Sequence, residues 1–225
     1  MGLLNKVLAT QVATAEARED GPELVPYPGE EALIAQAAPK RRAEFITARR
    51  CAREALAKLK VPEQPILRGA KREPLWPKGV VGTLTHTAGF RGAAVAHSLV
   101  MRSVGADAEP HLPLPDGVLG QVALPEEQAW LAARGEDGLH WDRLLFCAKE
   151  ATYKAWFPLT ERWLGFEDAR ISFEESATDG ADRTGSFHVQ LLVPGQALKG
   201  PPLATFEGRW AVADGFIVTG ISHGW

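Results

Sequence analysis

The sequence predicts an α+β protein of two similar lobes. Helices followed by a meander of short strands occur twice along the chain, once in each half. Turn residues punctuate the strand-like runs at short intervals, as small antiparallel sheets require. The length of 225 residues suits one large domain or two small lobes around a shared core.

Taken in order, "PYPGE" (26–30) reads as a turn, and a helical pattern then runs from about Glu30 to Lys60 with a break at Pro39. Its second half, "KRRAEFITARRCAREALAKLK", places Phe45, Cys51, Ala52, Leu56 and Leu59 at helical spacing. "VPEQPILRGAKREPLWPKG" is rich in Pro and Gly and predicts mostly extended loop. Three short strands follow in "VVGTLTHT", "GAAVAHSLV" and "RSVGADAE". Within 110–140 lies a polar helix candidate, "PEEQAWLAARG". The strong helix "WDRLLFCAKEATYKAWF" comes next, with Pro158 expected to stop it. Four strand patterns close the chain: "ARISFEE", "SFHVQLLV", "ATFEGRWAVA" and "GFIVTGISH". The junction between lobes is expected near residues 103–112.

Composition narrows the function classes. A hydrophobic share of 45% and a charged share of 24% are those of a soluble globular chain. The net charge of −3 indicates neither a nucleic-acid protein nor an acidic tail, so any anion site must come from local clustering. Two cysteines, Cys51 and Cys147, are too few for a disulfide framework or a thiolate metal site. They read as core residues in a reducing compartment. The N-terminal stretch is broken by Asn5, Lys6 and Gln11 and does not read as a signal peptide, and Lys6 argues against myristoylation of Gly2. No run approaches the ~20 apolar residues of a membrane helix. A cytoplasmic protein is expected.

Three constellations carry chemistry. In "VGADAEPH", Asp107 and Glu109 stand at i and i+2, on one side of a strand and roughly 7 Å apart. Such a pair is either a solvated strand end or a divalent-cation site, and Mg2+ suits one or two carboxylates with phosphate oxygens and water. In "FCAKEATYKAW", Phe146, Glu150, Tyr153 and Phe157 share one helix face, flanked by Lys149 and Lys154, with Leu144, Ala148, Ala151 and Ala155 opposite. An i,i+4 pair of Glu150 with Lys154 is the simpler account, worth ~0.2–0.5 kcal/mol, but it leaves Lys149 without a role. Two lysines around one carboxylate also suit a metal-bound phosphate. The third constellation is the basic run Lys40, Arg41, Arg42, Arg49, Arg50 and Arg53, either a solvated face or a phosphate clamp, to which His86 at a strand end adds a donor.

Together these segments resemble the 4′-phosphopantetheinyl transferase superfamily. "VGADAE" is similar to its G-[I/V]-D-x-E motif, and Phe146, Cys147, Lys149, Glu150, Ala151 and Lys154 match its [F/W]-[S/C/T]-x-K-E-[A/S]-x-x-K motif in full. "EPLWPKGVVGTLTHTAG" resembles the family's P-x-x-P segment ending in [S/T]-H, with Thr83, Thr85 and His86 at its polar positions. "KRRAEFITARRCAREAL" resembles its first basic helix. The four segments, in order, cover roughly residues 40 to 157. The likeness is to the two-lobed monomeric class of the surfactin-synthetase activator and enterobactin synthase component D, with the latter branch the nearer in motif. One departure is Ala106 where the family has Ile or Val, which removes volume behind the acidic pair.

The resemblance implies a pseudo-twofold fold, with residues 1–105 holding the adenosine end and 3′-phosphate of coenzyme A. Residues 106–225 would carry Mg2+ (or Mn2+) and the catalytic helix, with the active site between the lobes. It implies transfer of 4′-phosphopantetheine from coenzyme A to a serine of apo acyl or peptidyl carrier proteins, releasing 3′,5′-ADP. Asp107, Glu109 and Glu150 would hold the metal. Glu150, Lys149 and Lys154 would be catalytic, and Arg41, Arg49, Arg53, Arg68, Thr85 and His86, with both lysines, would bind the cofactor. Carrier docking is expected on 112–130 and the adjoining helix, in a monomer with no nucleic-acid or membrane partner. A Mg2+-dependent nucleotide-pyrophosphate hydrolase and a non-catalytic coenzyme A module are the competing readings.

Overall fold

The computed structural model of the protein describes residues 2–22, 24–135, 137–179 and 182–225. The chain begins with α1 (Leu4–Val7) and β1 (Ala13–Ala17), then a 3-10 turn (Glu31–Ile34) and α2 (Pro39–Lys58). Next come β2 (Leu67–Arg68), β3 (Pro74–Leu75), β4 (Val80–Thr87), β5 (Phe90–His97) and β6 (Met101–Pro110). Helices α3 (Leu119–Val122), α4 (Pro125–Arg134) and α5 (Trp141–Thr160) follow, and a second 3-10 turn spans Phe166–Asp168. The chain ends in β7 (Ala169–Asp179), β8 (Asp182–Gly195), β9 (Leu203–Ala213) and β10 (Phe216–Gly224).

Two antiparallel sheets make the two α+β lobes. The first has the order β1-β5-β4 with α2 against it, and the second has the order β6-β10-β9-β8-β7 with α5 across β6 and β10. Pro39 is the first residue of α2, where its missing N–H costs nothing, so the expected break falls just before the helix. The apolar stripe of α2 then meets Ala15, Ala93 and Val95 through Cys51, Ala52, Ala55 and Leu56. Between β9 and β10, Asp214 and Gly215 both take positive φ (53° and 76°), the requirement of a tight type I′ hairpin turn. Within the expected loop of 61–79, β2 and β3 form a minimal pair.

Two expectations change. Pro158 does not end α5, which runs on to Thr160. A proline so near the C-terminus forfeits one backbone bond, while Glu161 N–H still reaches Phe157 O at 2.8 Å and the Thr160 hydroxyl reaches Trp156 O. The small Ala106 leaves no slack behind the acidic pair. It is fully buried in one cluster with Leu3, Leu4, Val7, Leu8 and Val218, so the N-terminal helix occupies the room a branched side chain would take. Both cysteines are buried and free, and burial raises both thiols, Cys51 to about 11. No helix among the described residues is long and apolar enough to cross a membrane.

Candidate active site between the sheets

Strand β6 pairs along its length with β10 and presents two faces. Val104, Ala106 and Ala108 turn to the cluster with α1. Gly105, Asp107 and Glu109 turn to α5, and Gly105 is what lets the helix close in. A Cβ at that position would stand 2.1 Å from Ala151 O and 2.7 Å from Ala155 N. This close approach sets Lys154 Nζ 2.7 Å from Asp107 Oδ1. Thr85 Oγ1, on β4 of the other sheet, donates to the same oxygen at 2.9 Å. Asp107 Oδ2 is buried and, among the described residues, has no hydrogen-bond partner.

The carboxylates around Asp107 feel its charge. Burial, then the Asp107 charge, lifts Glu109 to about 7, although Arg143 Nη1 lies 2.9 Å away and opposes the shift. Burial also raises Glu150, with Lys154 lowering it and Asp107 raising it. For Lys154 burial disfavours the ammonium, but Asp107 and Glu150 outweigh it and hold the lysine above its ordinary value. Among the described residues no three His, Cys, Asp or Glu side chains are gathered closely enough to enclose a metal ion. Asp107, Glu109 and Glu150 are therefore electrostatically joined without forming a closed ligand shell, because Lys154 and Arg143 neutralise two of them. Their chemistry still fits a hard cation: three oxygen donors, two with raised pKa, and one buried oxygen unpaired.

Lys149 does not join them. Its Nζ lies 2.7 Å from Glu127 Oε2 and donates to Phe166 O at 2.8 Å, and the side chain is 1% exposed. Glu127 in turn accepts from the N–H groups of Leu124 and Ile171, so this pair ties α5 to α4 and β7. The expected phosphate contact would have to compete with this buried pairing. A groove of about 200 Å³ beside that pair is lined by Trp130, Leu145, Arg170 and Phe173, and contains none of the three carboxylates. On the other flank of α5, Tyr153 packs at a tilt against Phe157 and Trp163, and Phe146 against Phe166.

The basic residues of the first lobe gather beside β4. Arg41 hydrogen-bonds His86 Nε2, and both lie 3.6 Å from Glu44 Oε2. Burial and then Arg41 push His86 down to about 4, with Glu44 opposing and Lys154 and Arg91 adding to the fall. Arg49 donates to Ile66 O at 2.9 Å and stacks on Phe45 with its guanidinium carbon 3.5 Å from the ring centre. Burial lowers it to about 10; Glu30 opposes, and Arg41, Arg53 and Arg68 reinforce the shift. Arg68 is exposed on β2. Arg53 departs from the expected set. It is buried against Glu30 Oε1 at 2.8 Å, and Glu30 also accepts Ile66 N–H, so this guanidinium anchors the loop under Arg49 and not a ligand at the surface. Thr85, expected among the cofactor contacts, is 2% exposed by residue and its hydroxyl is taken by Asp107 and Ala108.

Sequence reasoning missed Glu44, Arg91 and Arg143. Arg91 reaches Asp20 at 2.9 Å across 71 positions, and no local spacing signals such a pair. Arg143 holds Glu109 and also donates to Leu112 O and Pro113 O. Its place as the third residue of the strong helix, next to Asp142, was the available cue.

Comparison with known proteins identifies the family. A family profile described as "4'-phosphopantetheinyl transferase N-terminal domain" matches residues 29–96, and one described as "4'-phosphopantetheinyl transferase superfamily" matches residues 103–195. The chain is similar to 4'-phosphopantetheinyl transferase PptT of Mycobacterium tuberculosis, 57% identical over 210 residues that cover 93% of this chain and 91% of the relative. It is 53% identical over 222 residues to 4'-phosphopantetheinyl transferase Npt of Nocardia iowensis, covering 98% and 100%. Enterobactin synthase component D of Salmonella typhi is a more distant relative, 31% identical over 135 residues, or 59% of this chain and 55% of the other.

Proposed function

The chain belongs to the 4′-phosphopantetheinyl transferase superfamily, and from that membership we propose how its residues carry out the reaction. The enzyme transfers 4′-phosphopantetheine from coenzyme A to a serine of apo carrier proteins. The serine oxygen bonds to the β-phosphorus of the pyrophosphate, the bond from that phosphorus to the bridging oxygen breaks, and 3′,5′-ADP leaves. One observation carries the residue assignment: the Asp107 charge is felt by both Glu109 and Glu150, beside a buried, unpaired carboxylate oxygen.

Asp107, Glu109 and Glu150 are the residues that would hold Mg2+, or Mn2+ with the same oxygen donors. A bound ion of this kind neutralises pyrophosphate charge and lowers the barrier to displacement. Glu150 takes the serine proton. Its burial raises its proton affinity, which favours a carboxylate in the role of base. Lys154 stays charged beside Asp107 and supplies the positive end for charge that develops on the leaving oxygen. Arg41, Arg49, Arg68 and His86 receive the adenosine end and the 3′-phosphate. Support comes from the crowding of Arg49 with Arg41, Arg53 and Arg68, which leaves positive charge that an anion relieves.

In this reading residues 1–105 bind the nucleotide end and residues 106–225 supply the carboxylates. The carrier approaches over 112–130, where Leu112 is exposed and Arg143 and Asp142 pin Leu112, Pro113 and Leu114 next to Glu109. A cytoplasmic, reducing location fits two buried free thiols.

The test is intact-mass analysis of an apo carrier incubated with coenzyme A and Mg2+. Wild type should add phosphopantetheine, and Glu150→Ala should abolish transfer while coenzyme A still binds. Wild-type turnover in Glu150→Ala removes the assignment of the base. Equal consumption of coenzyme A without any carrier makes the protein a pyrophosphate hydrolase instead.

A further inference from the structure

Thr85 and Asp107 belong to different sheets, yet one hydroxyl joins them. Strands β4 and β6 run side by side without a ladder between them. Across that seam Thr85 Oγ1 accepts the Ala108 N–H at 3.1 Å and donates to Asp107 Oδ1 at 2.9 Å. The direction is forced, because an amide N–H only donates and a carboxylate only accepts. Lys154 Nζ bonds the same Oδ1 at 2.7 Å. Two donors on one oxygen fix the rotation of the carboxylate and leave Oδ2 buried without a partner.

We propose that Thr85 is a positioning residue: from the nucleotide-binding lobe it sets which oxygen of Asp107 is offered to the divalent cation. The proposal rests on the reading above that Asp107 is a metal carboxylate. Thr85 is 2% exposed, and its hydroxyl gives its one proton to Asp107 and accepts the Ala108 N–H, so it is committed inside the protein rather than to coenzyme A. Without it, Oδ1 keeps only the flexible lysine, and the carboxylate is free to rotate its paired oxygen into the site. Through this contact the register of the first lobe against the second becomes part of the metal site.

The experiment measures Mn2+ affinity by the electron paramagnetic resonance signal of free Mn2+, on protein without coenzyme A. Thr85→Val, which keeps the shape and removes the hydroxyl, should weaken Mn2+ binding about 10- to 100-fold, the range for outer-shell partners of metal ligands. Thr85→Ser should restore it. In the transfer assay Thr85→Val should lower kcat and leave KM for coenzyme A unchanged. Wild-type Mn2+ affinity in Thr85→Val overturns the proposal, and so does a rise in KM for coenzyme A with Mn2+ affinity intact, which marks a direct substrate contact. Asp107→Asn separates the two levels: if it leaves Mn2+ binding unchanged, the metal reading itself fails. If Thr85→Val does not fold, Thr85→Ala is read in its place against Thr85→Ser.

Discussion

His86 sits among Arg41, Arg91 and Lys154 with Glu44 as its one opposing charge, and its depressed pKa makes it a reporter of that balance. An unfolded histidine titrates near 6.5, and burial with Arg41 lowers the folded value to about 4. Between those values the unfolded chain binds more protons than the folded one. The contribution of His86 is therefore present above about 6.5 and lost as pH falls toward 4. Replacing His86 with Gln should flatten the stability curve over that window, measured by urea unfolding at stepped pH. Parallel curves for the two proteins would show that His86 does not titrate this way. At this scale the candidate site was largely legible: Asp107, Glu109, Glu150 and Lys154 stand out by charge on apolar elements, and the structure places them together. Lys149 stands out for the same reason, yet the structure pairs it elsewhere. Its partner Glu127 lies 22 positions away, as 149 − 127, on another helix, and a lysine answered by so distant an acid looks unpaired in sequence.

Among the elements, the pairing of α5 with β6 sets the distances in the site, and Gly105 sets that pairing. Its Cβ would meet Ala151 O and Ala155 N, which are backbone atoms of a packed helix with no rotamer to yield. Gly105→Ala must push α5 off the strand. Overpacking of this sort costs about 1–3 kcal/mol, sometimes more. It should also carry Lys154 and Glu150 away from Asp107. The expected outcome is a lower melting temperature together with a loss of transfer larger than the loss of folded protein, read by circular dichroism and carrier mass on one sample. Unchanged activity in a folded Gly105→Ala would detach the site from this contact. Strand positions were readable because alternation and turn residues mark them, as in the Asp214–Gly215 hairpin. The end of α5 was not, since a proline costs least in a last turn whose remaining bonds survive. Helix α1 was not readable either, because four residues are about one turn and show no period.

For the whole molecule, the N-terminal segment reaches both lobes. Strand β1 adds to the first sheet beside β5, while α1 packs on β9 and β10 of the second. Leu4 joins both. It is fully buried in the cluster with Ala106, Ala211 and Val218, and its Cδ1 lies 2.8 Å from where Gly92 on β5 would carry a Cβ. Truncating a buried leucine costs about 2–5 kcal/mol through lost transfer energy and the cavity left behind. In a chain of this size each kcal/mol lowers the melting temperature by about 2–4 °C. Leu4→Ala should therefore lower the single calorimetric transition as a unit, with calorimetric and van't Hoff enthalpies still equal. Because the cavity opens behind Ala106 and Ala108, Mn2+ affinity should weaken as well, although Leu4 touches none of the carboxylates. A calorimetric trace that splits into two peaks would instead show lobes that fold separately in spite of the seam between β4 and β6.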